Sequence, residues 1–138
     1  MILVLDFGGQ YNQLIARRVR ENNVYCEVHT ALDMEKIRAL KPEGIILTGG
    51  PQSVYKEDSL LPPIEIFNLG IPILGICYGV QAMAKILGGE VNPASVSEYG
   101  KTEVEIVGAS KLFANVEKKS VAWMSHTDRI FPAPEVLS

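Results

Sequence analysis

Cys77 stands at the centre of Gly75-Ile76-Cys77-Tyr78-Gly79, between an apolar run at 71–76 and a segment with apolar residues at helical spacing. Gly-x-Cys-x-Gly in that context is the thiol counterpart of the Gly-x-Ser-x-Gly elbow that carries serine nucleophiles. So tight a turn needs small flanking residues, here Gly75 and Gly79, and it lifts its central side chain over the end of a sheet. A helix starting at the elbow aims its N–H groups and positive dipole end at the sulfur, a setting that favours the thiolate. The competing reading is an inert packed thiol, a role that suits cysteine well. The strand–turn–helix context weighs for the nucleophile. A thiolate attacking a carbonyl needs donors for the developing oxyanion. The backbone N–H of Tyr78 is one, and a second must come from a neighbouring loop. Gly49-Gly50 is placed for it, since glycine lets backbone approach a substrate with no Cβ in the way. A plain turn requiring positive φ explains the same pair equally well.

Two other segments carry polar groups that chemistry could use. Asp6-Phe7-Gly8-Gly9-Gln10 follows the first apolar run, and Trp123-Met124-Ser125-His126-Thr127-Asp128 contains one of the two histidines. The first lacks the Gly-x-Gly-x-x-Gly spacing of dinucleotide loops, and no Gly-Lys-Ser/Thr follows Gly49-Gly50, so neither is a phosphate cradle. The second reads as a polar cluster after a short strand at 121–124, either lining a site or forming a plain turn. His29, at a strand end, and Cys26 read as structural. Arg17, Arg18 and Arg20 read as a solvated helix face, with a docking patch as the alternative.

The elements that would position these residues alternate. Apolar strands are expected at 2–5, 24–28, 44–48 and 71–76. Helices are expected at 10–22, after an Asp33 cap up to Pro42, at 63–69 with Pro63 at its start, and at 79–87 ended by Gly88-Gly89. Strands apolar on both faces and alternating with helices imply a parallel sheet covered on both sides. In such sheets ligands bind beyond the carboxyl ends of the strands, where all three glycine-bearing loops emerge. From 101 to 107 polar and apolar residues alternate, as in a half-exposed strand. The residues after Pro134 resemble the opening of a further strand.

Composition closes several alternatives. The chain has 138 residues, 47% hydrophobic and 21% charged, which fits one globular domain with its own core. A net charge of −3 gives no global field for nucleic acid. Two cysteines exclude a disulfide scaffold, and with two histidines at no ligand-like spacing they argue against a metal site. The N-terminus has no basic leader, and the longest uncharged stretch is broken by glycine, proline, asparagine and glutamine, so neither a signal peptide nor a membrane span is expected. The expected compartment is the cytoplasm.

Gly75-Ile-Cys-Tyr-Gly-Val-Gln81 and Thr48-Gly-Gly-Pro-Gln-Ser-Val-Tyr55 resemble the class I (triad) glutamine amidotransferases. Asp6-Phe-Gly-Gly-Gln-Tyr11, Leu14-Ile-Ala-Arg-Arg-Val-Arg-Glu21, Glu98-Tyr-Gly100 and Trp123-Met-Ser-His-Thr-Asp128 narrow the resemblance to the glutaminases of GMP synthetases. The resemblance implies a three-layer α/β sandwich with a mainly parallel, flavodoxin-like open sheet. It implies that Cys77 forms a γ-glutamyl thioester and releases ammonia, with Gly50 and Tyr78 as oxyanion donors. Gln81 would hold glutamine, and backbone around Ser125, Thr127 and Asp128 would bind its α-amino and α-carboxylate groups. Thr127 stands where the family usually has glycine. The implied partner is an ATP-pyrophosphatase synthetase, fused or separate, that activates XMP with ATP and Mg²⁺. No cofactor is expected in this domain itself. The family's catalytic His and Glu lie in a late Phe-His-Pro-Glu type motif absent from these residues, and His126 belongs to a different, substrate-side motif. Residues 1–138 therefore read as an amidotransferase domain truncated before its base, expected not to turn over alone. A non-catalytic docking or regulatory domain is the alternative, and another elbow-cysteine hydrolase a third.

Overall fold

In β1 (Ile2–Asp6) three consecutive residues, Leu3, Val4 and Leu5, are buried, so both faces of the strand are covered. Such a strand must lie inside a sheet, and β1 pairs in parallel with β2 (Cys26–Thr30) on one side and β3 (Gly44–Leu47) on the other. A short β4 (Ile73–Gly75) adds to β3, giving the order β2-β1-β3-β4. That order is the doubly wound arrangement, with its switch point between β1 and β3. The computed structural model describes residues 1–30, 33–50 and 60–130, with the side chains of 94–98 and 126–129 outside that description.

The period of two along the strands sorts the core into two layers. Leu3, Leu5, Ile45 and Leu47 pack with Ile37 of α2 (Met34–Leu40), Ile66 of a 3₁₀ helix (Ile64–Asn68), and Tyr78, Ala82 and Met83 of α3 (Tyr78–Ile86). Val4 and Cys26 pack with Ala16 of α1 (Asn12–Glu21), ringed by Ile2, Ile15, Val19, Val28 and Ile46. The result is the expected α/β sandwich: helix, parallel sheet, helices.

Local chemistry explains the element ends. The Asp33 carboxylate accepts from the Lys36 N–H at 2.9 Å, the cap anticipated for α2. Lys41, in the left-handed region at φ 48°, ends that helix just before Pro42. The second strand begins two residues later than expected, because Asn23 turns at φ 60° and Tyr25 remains exposed. The helix expected at 63–69 is a 3₁₀ helix. Its bonds run from Ile66 N–H to Pro63 O and from Leu69 N–H to Ile66 O, and the stretch between Pro63 and Gly70 is too short for a stable α ladder.

The larger departure follows α3. Residues Val91–Glu105 (β5) and Lys119–Ile130 (β6) form a long antiparallel hairpin, a separate two-stranded sheet. Sequence patterning suggested only two short strands here. The Trp123–Asp128 segment is therefore not a turn, since β6 runs through it, with Tyr99 opposite Ser125 and Glu98 opposite His126. The ladder is irregular between Pro93 and Glu98, where four residues of β5 face the single residue Thr127. Residues 51–59, with the remainder of the Thr48–Tyr55 motif, and the strand expected near the C-terminus lie outside the described residues. Among the described residues no helix is long and apolar enough to cross a membrane.

Candidate active site

The elbow is strained as its sequence demands. Cys77 adopts φ 54° and ψ −113°, a conformation that L-residues avoid and that costs about 1–3 kcal/mol. The two flanking glycines are required by contact. A Cβ on Gly79 would lie 2.1 Å from the Leu47 carbonyl oxygen, and one on Gly75 would lie 2.7 Å from Val80 N and Cα. β3, β4 and the first turn of α3 thus meet backbone to backbone, with Cys77 at the crest. The α3 ladder opens directly on it, with Val80 and Gln81 N–H both donating to Cys77 O. Cys77 is exposed and Cys26 is buried, its thiol turned to the Ala16 carbonyl.

Tyr78 is buried behind the elbow. Its hydroxyl donates to Leu60 O at 2.5 Å, and its ring meets Phe7 with centroids 5.4 Å apart. These contacts brace the elbow against the segment entering the 3₁₀ helix and against the end of β1. The Tyr78 backbone is the first helical residue after Cys77, the position at which the sequence suggests an oxyanion donor.

Gly49 and Gly50 leave the end of β3 beside the sulfur. A Cβ on Gly49 would lie 3.7 Å from Cys77 Cβ, and one on Gly50 would lie 2.6 Å from the Phe7 carbonyl oxygen. The pair thus lies between the elbow and the loop after β1; close approach excludes a side chain at Gly50, while the contact at Gly49 is an ordinary one. Among the described residues none accepts a hydrogen bond from Gly50 N–H.

A cavity of about 330 Å³ opens here, at the carboxyl ends of β1, β3 and β4. Its lining brings together Cys77, Ile76, Gly49, Gly50 and Ser125 with Gly8, Gly9, Gln10, Tyr11, Asn12 and Ile15. Ser125 arrives from β6, which explains why a hairpin outside the main sheet contributes to the site. Gln81 is buried on α3 one turn after Cys77, and neither it nor Tyr78 lines the cavity. The side chains of Thr127 and Asp128 lie outside the described residues. No histidine or carboxylate occurs in the described lining.

Sequence reasoning singled out the loop after β1 without giving it a role, and it missed Tyr11 and Asn12. Asn12 is 4% exposed, donates through Nδ2 to Asp6 Oδ1, and leaves Oδ1 without a partner among the described residues. The Gly8 N–H donates to the same Asp6 oxygen at 2.6 Å, so one carboxylate shapes the whole loop. The acid six residues before an amide at a strand-to-helix junction was the available signal. The basic cluster on α1 is partly neutralised. Arg17 and Arg18 share Glu21 at 3.1 and 2.8 Å, while Arg20 donates to Cys26 O. Two guanidiniums on one carboxylate still leave net positive charge.

The family model for class-I glutamine amidotransferases matches residues 3–138. The chain belongs to that family. Among similar proteins, the amidotransferase is 61% identical to a glutamine-hydrolysing GMP synthase from Clostridium botulinum, over 98% of this chain and 26% of that protein. It is 59% identical to one from Clostridium perfringens, over 98% of this chain and 27% of that protein. It therefore spans about a quarter of the length of these relatives. A putative GMP synthase subunit from Thermoplasma acidophilum superposes with a TM-score of 0.77 at 28% identity, over 97% of this chain and 68% of that one. A glutamine amidotransferase from Thermotoga maritima gives a TM-score of 0.72 at 25% identity, over 94% and 61%. These structures confirm the amidotransferase α/β fold.

Proposed function

We propose that this domain hydrolyses glutamine to glutamate and ammonia and delivers the ammonia to a synthetase that converts XMP to GMP. The observation that carries the reading is the strained, exposed Cys77 at the mouth of a cavity flanked by the Gly49-Gly50 backbone. The Cys77 thiolate attacks the δ-carbonyl carbon of glutamine, and the N–H groups of Gly50 and Tyr78 receive the oxyanion. Collapse of the tetrahedral adduct, with a proton added to nitrogen, expels ammonia and leaves a γ-glutamyl thioester. Water then hydrolyses that thioester, giving glutamate and the free thiol. Backbone around Ser125, Thr127 and Asp128 holds the α-amino and α-carboxylate groups, and Gln81 supports the substrate from α3. The chemistry calls for no metal or cofactor in this domain, whereas ATP and Mg²⁺ serve XMP activation in the synthetase. The exposed, net positive α1 face is the docking surface we assign to that ATP-pyrophosphatase partner, and the cytoplasm is the compartment.

A second reading, an amidotransferase-like docking domain without turnover, is favoured by one observation. The described lining holds no histidine or carboxylate to take the thiol proton. General acid–base help is worth roughly 10²–10⁴-fold. The hydrolytic reading therefore requires a base from outside that lining. The discriminating experiment measures ammonia release from glutamine by the full-length protein, with its synthetase, in wild-type and Cys77→Ser forms. Release abolished by Cys77→Ser supports hydrolysis. Binding to the synthetase with no release in the wild type supports docking.

A further inference from the structure

Thr48 is the last residue before the glycine pair, and its side chain is wholly buried. Its hydroxyl lies 2.9 Å from Leu5 O and 3.2 Å from Gly49 O, and it accepts from Phe7 N–H at 3.3 Å. Its own N–H also donates to Leu5 O at 3.2 Å. One small side chain thus ties the exit of β3 to the exit of β1. A hydroxyl has a single proton, so Leu5 O and Gly49 O share it, while a lone pair serves Phe7.

The Gly49 contact has a consequence for the neighbouring atom. Gly49 C=O and Gly50 N–H belong to one planar peptide, and in a trans peptide the two point in opposite directions. Glycine on both sides leaves that plane with little intrinsic resistance to rotation. Holding the carbonyl toward Thr48 Oγ1 therefore fixes where the N–H is aimed. Gly9 and Phe7 also crowd this peptide, since a Cβ on Gly9 would lie 2.5 Å from Gly49 O and one on Gly50 would lie 2.6 Å from Phe7 O.

We infer that Thr48 is a positioning residue that orients the Gly49–Gly50 peptide as an oxyanion donor. This rests on the hydrolytic reading proposed above. Thr48 does not touch substrate; it acts through Gly50. A preorganised donor is most valuable in the transition state, so losing its orientation lowers kcat and leaves KM nearly unchanged.

The test compares Thr48→Val, of similar shape without a hydroxyl, with Thr48→Ser, which keeps it, in the full-length protein. Two readouts are taken for each: steady-state glutamine hydrolysis, and alkylation of Cys77 by iodoacetamide, which needs the thiol and no oxyanion hole. We expect kcat to fall about tenfold in Thr48→Val, the value of one hydrogen bond, with KM and alkylation rate unchanged. Thr48→Ser should return kcat to near the wild-type value. Unchanged kcat in Thr48→Val overturns the inference. So does a tenfold loss in Thr48→Ser, measured against the wild type, a criterion that holds even if the valine variant fails to fold. A parallel fall in alkylation rate shows general damage to the elbow and overturns it as well. Absence of hydrolysis in the wild type refutes the functional reading, and this inference with it; hydrolysis in the wild type with an indifferent Thr48 refutes only this inference.

Discussion

Replacing Cys77 by glycine should leave the domain more stable than replacing it by alanine. At φ 54° and ψ −113° an L-residue carries strain of about 1–3 kcal/mol, and glycine carries little of it. Glycine also gives the unfolded chain more freedom, which offsets roughly 0.4–1 kcal/mol. Central values leave a net preference for glycine over alanine of about 1.3 kcal/mol. For a domain of about 150–200 residues, each kcal/mol moves the midpoint by roughly 3–4 °C. The expected difference in Tm is thus about 4–5 °C in favour of Cys77→Gly. Both variants lack the thiol, so its loss cancels, and neither should hydrolyse glutamine. Calorimetry of the domain transition in the two variants reads the difference directly. Equal midpoints, or a more stable alanine variant, would show that the elbow stores no strain and would remove the argument that the fold holds Cys77 there for chemistry.

Gly50→Ala should lower kcat for glutamine by about 10²–10³, because its Cβ would meet Phe7 O at 2.6 Å and displace the proposed donor; steady-state kinetics on the folded variant check this. Tyr78→Phe removes the bond to Leu60 O and should cost about 1 kcal/mol of stability, read by denaturant unfolding, while the backbone donor at that position remains. Residues 1–138 on their own should release ammonia only at background, since the described cavity lining offers no histidine or carboxylate; repeated turnovers abolished by His126→Ala, whose side chain lies outside the described residues, would make His126 the base.

The elbow was legible because everything it needs is local: two small residues, a nucleophile, a strand before and a helix after. The parallel sheet was legible for a similar reason, since strands buried on both faces read as unbroken apolar runs. The hairpin was not. Trp123 faces Lys101 and Ser125 faces Tyr99 across a gap of more than twenty residues, and no periodicity within either strand announces the partner. Its reach to the cavity through Ser125 was one of two readings of that polar cluster, with a plain turn as the other, and the family resemblance favoured it. The role of the loop after β1 was also hidden. Asn12 lies within an amphipathic helical pattern, and its burial against Asp6 becomes visible only once β1 and α1 are folded together. Thr48 reads as the polar end of a strand, and its bonds to Leu5 and Phe7 depend on the pairing of β1 with β3.

The central claim is that Cys77, and no other group, carries the acyl intermediate. The full-length protein is mixed with isotopically labelled glutamine, quenched in acid within the first turnover, digested and mapped by mass spectrometry. The account predicts a labelled γ-glutamyl group on the peptide containing Cys77, lost on treatment with hydroxylamine, and none on the peptide containing Cys26. Ammonia release at an undiminished rate by a Cys77→Ser protein that shows no acyl group on any residue would contradict it.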